Sequence, residues 1–244
     1  YKGVLQRMKN DLFSIGPFTV HGYGLMIAIG VLSAYYMVEY RAKKKQMDWE
    51  KVFPLTVWSV LGGFLGSKIL YLLTRLPDIL ANPALLGSSI KDGFVVYGGI
   101  IGGILTAWIY CKCTKWNFWK IFDIAMPAVA MAQGFGRIGC LLAGCCYGIE
   151  LDPANPIGIV FHNSAYAPND VALLPTQIIS SVLDFANCFV LLALSKKLKT
   201  DGQVASCYLI FYSIGRFVLE YFRGDLIRGN VGEFSTSQFI SLFI

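Results

Sequence analysis

The sequence predicts an all-α, polytopic membrane bundle of about seven transmembrane helices, with its N-terminus outside and its C-terminus in the cytoplasm. Three observations carry this. Of 244 residues, 55% are hydrophobic and 15% charged, and the mean hydropathy is +0.56, whereas soluble domains carry about 25% charged residues. The apolar residues gather into blocks near the roughly 20 residues that a bilayer core requires. Lysines and arginines fall in alternate loops.

In chain order the blocks run over residues 22 to 40, 52 to 74, 94 to 113, 121 to 146, 175 to 195, 203 to 222, and from 235 to Ile244. The last is too short to span and reads as the start of a seventh helix that continues in a longer chain. The front lacks an apolar stretch followed by a small-residue cleavage site, so the first span is expected to serve as the targeting signal. The loops with Arg41, Lys43, Lys44, Lys45 and Lys51, with Lys112, Lys115 and Lys120, and with Lys196, Lys197 and Lys199 are expected to be cytoplasmic, because basic residues beside a span stay on that side. The stretch from Tyr147 to Leu174 holds Glu150, Asp152 and Asp170 but no Lys or Arg, and reads as external. The net charge of +6 therefore describes topology and gives no support to nucleic-acid binding.

No linker or repeat divides the chain, so a single transmembrane domain over 1–244 is expected. Gly62 with Gly66, Gly98 with Gly102, and Gly99 with Gly103 repeat at four-residue spacing. That pattern lets membrane helices approach closely, so the second and third spans should sit tightly in the bundle. The run Gly134-Phe135-Gly136-Arg137-Ile138-Gly139 imitates a dinucleotide-binding fingerprint, but it lacks the strand and downstream acid that the motif needs. Its glycines should instead thin one face of the fourth span beside Arg137. Seven cysteines are scattered mostly within spans and read as free thiols, the cluster Cys140, Cys145 and Cys146 being the one exception kept open. With His21 and His162 as the only histidines, neither next to that cluster, no metal site is expected there.

A charge within a span costs about 2.5–3.5 kcal/mol even on the lenient insertion scale, so Lys68, Asp123, Arg137, Asp184, Arg216 and Glu220 each need a reason. Lys68 can snorkel, and Asp123 and Asp184 can pair or bond across helices. Tyr212, Arg216, Glu220 and Arg223 are spaced four, four and three apart and form one stripe of the sixth span. Gln133 and Arg137 are likewise four apart on the fourth. If those two helices pack, two guanidiniums share a low-dielectric region. Such a pair is best satisfied by an oxyanion with several acceptors, phosphate above all, and in a membrane the abundant phosphate is a lipid headgroup. A closed Arg–Glu network binding the two helices without any ligand is the alternative.

Further motifs lie in order along the chain: Ser14-Ile15-Gly16-Pro17, Tyr23-Gly24-Leu25-Met26, Tyr97-Gly98-Gly99-Ile100-Ile101-Gly102, Gly136-Arg137-Ile138-Gly139 with Gly144 and Gly148, Pro175-Thr176-Gln177, the Tyr212 to Arg223 stripe, and Ser235 with Gln238. With these the chain resembles the prolipoprotein diacylglyceryl transferases, enzymes of the bacterial inner membrane, from Phe13 to the end. The resemblance implies transfer of the diacylglyceryl group of phosphatidylglycerol to the thiol of a lipobox cysteine in a prolipoprotein signal peptide, with glycerol phosphate released. It implies no cofactor. It makes Arg137 and Arg216 the essential arginines, Glu220 and Tyr97 further catalytic candidates, and Tyr23, Tyr212, Arg223, Gly148, Gly98, Gly99 and Gln133 candidates for substrate binding.

Two departures stand out. Many members have His where this chain has Tyr97, and tyrosine, with a pKa near 10, is a poor base at neutral pH. Either Tyr97 positions a group, or the base is Glu220 or bulk water. After Arg137 the family often reads Gly-Asn-Phe-x-Asn-Gly-Glu, and here Gly139-Cys140-Leu141-Leu142-Ala143-Gly144-Cys145 stands. A relative with a different acceptor, or a protein that binds or transports anionic lipid without cleaving it, are the competing readings.

Overall fold

The computed structural model describes residues 11–15, 18–82, 84–91, 93–162, 164–225, 230–231 and 234–241. A short antiparallel hairpin, β1 (Asp11–Ile15) and β2 (Phe18–His21), runs directly into α1 (Gly22–Lys44). Then come α2 (Val52–Thr74), α3 (Leu76–Ala81), α4 (Leu85–Lys91), α5 (Val96–Thr114) and α6 (Phe118–Ala143). Two-residue strands β3 (Ile159–Val160) and β4 (Ala172–Leu173) precede α7 (Thr176–Leu194) and α8 (Gln203–Glu220). Strands β5 (Asn230–Val231) and β6 (Phe234–Ser235) lead to α9 (Thr236–Ser241).

The first six apolar blocks are each a helix, displaced by no more than a few residues from the expected bounds. Five helices are long and apolar enough to cross a membrane: α1, α2 with the single 3-10 turn before it, α5, α6 and α7. The sixth, α8, falls short because Arg216 and Glu220 lie within it. Of the expected last block, α9 covers six residues, and 242–244 lie outside the described residues, as do Gly16 and Pro17. Large apolar side chains face outward along these helices, among them Leu32, Tyr36, Phe64, Phe189 and Ile214. Contiguous exposure of this kind fits a lipid solvent and would be a liability in water.

The chain forms two compact units, residues 38–121 and residues 1–37 with 122–244. In the first, α2 and α5 cross backbone to backbone. A Cβ on Gly66 would strike the Gly98 carbonyl, and one on Gly102 would strike that of Gly62, so the glycine spacing acts here as expected. The Lys68 Nζ donates to the carbonyls of Ser89 and Gly93, 3.1 Å from each, and lies 4.5 Å from the centre of the Phe94 ring. The short helices α3 and α4 hold too few residues to leave a periodic signal in the sequence.

In the second unit, α1, α7 and α8 pack on α6. Gly30 of α1 faces the Ala132 carbonyl, where a Cβ would stand 3.1 Å away. Gly134 opens a place for the Phe185 ring of α7, and the Ser181 hydroxyl donates to the Gly134 carbonyl at 2.9 Å. The glycines of the false fingerprint are thus helix contacts, on an unbroken helix. Met126 and Ala130 of α6, Cys188 and Leu191 of α7, and Val204 and Ala205 of α8 form the core. Asp123 binds across helices: its carboxylate accepts the Gly202 and Ala205 N–H groups at 2.8 Å each. It therefore caps the start of α8, where four backbone donors would otherwise lack partners.

Candidate active site

Arg137 extends from α6 toward α7 and α8 into a cavity of about 40 Å³, whose polar lining is Arg137, Ser180, Asp184, Asn187, Tyr212 and Arg216. Helical spacing explains the lining. Ser180, Asp184 and Asn187 lie four and three apart on α7, and Tyr212 and Arg216 four apart on α8, so each helix presents one polar stripe. The two arginines expected to share a low-dielectric region do so.

Their partners differ. Arg137 Nε is 3.9 Å from Asp184 Oδ2, and among the described residues no hydrogen bond to Arg137 is found. Its planar array of five N–H donors is left facing the cavity. Arg216 Nη2 is 2.8 Å from Glu220 Oε2, but the alignment is not that of a hydrogen bond, and the group donates instead to Ser237 Oγ at 2.8 Å. Ser237 is placed by α9, which opens on a reciprocal capping box: the Ser235 N–H donates to Gln238 Oε1 at 3.0 Å and the Gln238 N–H to Ser235 Oγ at 3.2 Å. Arg223 makes a bidentate pair with Asp225, at 2.8 and 2.6 Å, and its Nε is 4.0 Å from Glu220. The ion pairs therefore run within α8 and its exit, and from α6 to α7. Among the described residues they do not form the closed link between α6 and α8 that a purely structural network would need.

Of the other candidates, Gln133 accepts a hydrogen bond from the Tyr208 hydroxyl at 2.9 Å, and Tyr208 stacks on Tyr212 with ring centres 5.8 Å apart. Tyr23 packs against Gly139, where a Cβ would stand 3.1 Å from its ring. Gly148 lies where two backbones cross. A Cβ there would come within 2.6 Å of the Leu174 carbonyl, and Gly148 bridges to Arg223, while the Gly224 N–H donates to the Tyr147 carbonyl at 3.1 Å. Its absent side chain lets the segment after α6 lie against Leu174 and Thr176 at the entry to α7. Tyr97, Gly98 and Gly99 belong to the unit of residues 38–121, on the first turn of α5: Gly98 is buried against α2, and Tyr97 is exposed.

Sequence reasoning passed over Ser180 and Asn187, although their spacing about Asp184 marks a polar stripe. Asn187 Oδ1 is buried without a hydrogen-bond partner, an acceptor left open beside two guanidiniums. Ser237 and Asp225 carried no signal of proximity. The three clustered thiols were noted, but not their neighbour. Cys140, Cys145 and Cys146 are free thiols whose sulfur atoms lie within 4.8 Å of one another, and the Arg223 guanidinium is within electrostatic reach of Cys146. In the segment after α6, hydrogen bonds from Cys140 and Cys145, aided by the Arg223 guanidinium, pull the Cys146 thiol far below its ordinary range. The corresponding bonds push Cys145 up.

Fold and site together define a polytopic helical membrane protein with a partly open, arginine-lined cavity among three helices. Among known proteins, the family model described as prolipoprotein diacylglyceryl transferase matches residues 10–244. The phosphatidylglycerol–prolipoprotein diacylglyceryl transferase of Clostridium tetani is 46% identical over 97% of this chain and 93% of its own length. The second such enzyme of Clostridium perfringens is 45% identical over 97% and 91%, and that of Staphylococcus carnosus 30% identical over 95% and 85%. The chain belongs to the prolipoprotein diacylglyceryl transferase family, and it is a membrane-protein transferase.

Proposed function

We propose that the protein moves the diacylglyceryl group of phosphatidylglycerol onto the thiol of a lipobox cysteine in a prolipoprotein signal peptide, at the Arg137–Arg216 cavity. The observation that carries this is Arg137, a mostly buried guanidinium without a hydrogen-bond partner among the described residues, beside a second arginine and the open acceptor of Asn187. A buried fork of donors is costly unless an anion arrives to take it.

In this reading the lipid phosphate docks on Arg137, and Arg216 faces the oxygen on which charge develops as the glyceryl carbon–oxygen bond breaks. Preorganised cations at a developing anion are usually the largest single contribution to such a rate. Glu220 keeps Arg216 extended and offsets its charge. Tyr212 shapes the wall and Gln133 holds Tyr208 behind it, while Tyr23 and Gly148 are assigned to substrate binding on the family resemblance. Tyr97 as a further catalytic candidate, and Gly98 and Gly99 as substrate-binding candidates, rest on the family resemblance alone. The acceptor sulfur attacks the glyceryl carbon and becomes a thioether, and glycerol phosphate leaves with the electron pair. The whole chain acts as one transmembrane domain of the bacterial cytoplasmic membrane, N-terminus outside, with the segment 147–174 on the outer side.

The test is glycerol phosphate release from labelled phosphatidylglycerol by the purified protein in detergent, with and without a lipobox peptide. Peptide-dependent release with a thioether product is expected. Release that ignores the peptide, or lipid binding with no release, refutes the reading.

A further inference from the structure

Cys140, Cys145 and Cys146 lie with all three sulfur atoms within 4.8 Å of one another. The sequence spacing conceals this convergence, and the end of α6 explains it. Gly144, at φ +74°, closes the helix in a Schellman motif: the Cys145 N–H donates to the Cys140 carbonyl and the Gly144 N–H to the Leu141 carbonyl, both at 3.1 Å. In that motif the residue two beyond the helix end folds back onto the third residue from it, and here both are cysteines. Cys146 then takes φ +62°, a left-handed conformation that costs a residue with a side chain about 1–3 kcal/mol and turns its sulfur to the same side. The start of α7 holds the turn, since Gln177 Nε2 donates to the Cys145 carbonyl at 2.9 Å and Thr176 Oγ1 to that of Cys146 at 2.8 Å.

The surroundings suit an ion. Thiolates at about 2.3 Å from a tetrahedral zinc are roughly 3.8 Å apart, a small contraction of the present arrangement. The Arg223 guanidinium, held by Asp225, lies within electrostatic reach of the Cys146 sulfur, and outer groups of this kind orient a metal ligand. Three thiolates and a divalent ion leave one negative charge, within electrostatic reach of the Arg137 and Arg223 guanidiniums. Three protein ligands leave a fourth position free, the pattern of catalytic ions, whereas structural zinc sites are closed by four.

We propose that Cys140, Cys145 and Cys146 form a three-thiolate site for a thiophilic divalent cation, such as zinc, whose open position takes the acceptor thiol. This rests on the transferase reading and supplies what Tyr97 cannot. A thiol with an ordinary pKa near 8.5 is deprotonated outright when it coordinates such an ion. The proton goes to solvent, the sulfur forms its bond to the glyceryl carbon, the carbon–oxygen bond to phosphate breaks, and glycerol phosphate carries off the electron pair. Nothing is oxidised or reduced.

The experiment uses the full chain, purified reduced in detergent and titrated with zinc, and in parallel with cadmium to follow the sulfur-to-metal absorption in the ultraviolet. One ion per chain is expected, with at least a tenfold weaker affinity in Cys140→Ser and Cys146→Ser, and no change in Cys113→Ser or Cys207→Ser. A lipobox peptide should increase the sulfur-to-cadmium absorption, and its Cys-to-Ser version should leave it unchanged. Binding no better than in a triple Cys140→Ser, Cys145→Ser, Cys146→Ser protein overturns the site, as does a disulfide among these residues in active protein. An indifferent spectrum on peptide addition overturns the role of the open position. Peptide-dependent glycerol phosphate release from metal-free protein likewise defeats this inference while leaving the transferase reading intact.

Discussion

Arg137 Nε lies 3.9 Å from Asp184 Oδ2, near enough for the charges to compensate and too far for a hydrogen bond. The guanidinium is held without being used up. Arg137→Ala should therefore lower kcat/KM for phosphatidylglycerol by about 10²–10³-fold, the usual loss on removing one donor from a developing oxyanion. Arg137→Lys should recover only part of it, because an ammonium cannot fork. Asp184→Asn should cost less than Arg137→Ala. Steady-state release assays rank the three, and full activity in Arg137→Ala refutes the assignment.

Glu220 is the nearest carboxylate to Arg216, and both side chains are largely buried. Glu220→Gln keeps the shape and leaves a buried cation short of its countercharge, a change that costs about 3–5 kcal/mol. Thermal melting in detergent should fall together with activity. Wild-type melting with activity lost would instead assign Glu220 to the chemistry itself.

Asp123 should behave as a cap. Asp123→Ala is expected to cost about 1–2 kcal/mol, whereas Asn, with one acceptor oxygen for the two N–H groups that Oδ1 and Oδ2 now take, should retain only part of the stability. Equal losses in both variants, read by melting, would mean that the charge matters and the capping bonds do not.

The α2–α5 contact separates two glycines that look alike in sequence. A Cβ on Gly98 would meet the Gly66 carbonyl and, at 2.7 Å, the Leu70 side chain, whereas on Gly103 it would meet only the Ser59 carbonyl, at 3.5 Å. Gly98→Ala should destabilise by about 1–3 kcal/mol, and Gly103→Ala should be neutral or slightly stabilising, since alanine is the better helix former. Melting of the two variants side by side decides it.

The helices were legible because a bilayer demands long apolar runs, and the site because charge is rare within them. Arg137, Arg216 and Glu220 stood out for that reason alone, and Asp123 and Asp184 found the cross-helix roles expected of them. What escaped the sequence depends on backbone direction over short distances. The Schellman turn that folds Cys145 onto Cys140 takes two hydrogen bonds and one glycine, and the approach of Ser237 to Arg216 links α9 with α8. Neither leaves a periodicity. The small hairpins and α3 and α4 are likewise too short for their patterns to rise above chance.

The carboxylate of Asp123 also serves as a ruler. Fourteen residues separate Asp123 from Arg137 along α6, and fourteen separate Gly202, the residue it caps, from Arg216 along α8. At 1.5 Å per residue both intervals measure about 21 Å, so two helices pinned at one level deliver their guanidiniums to a common depth. One residue added to or removed from either interval would displace its arginine by about 1.5 Å and turn it by about 100°. The tolerance of this protein to insertion is thus set far from the cavity, by a bond that never touches a substrate.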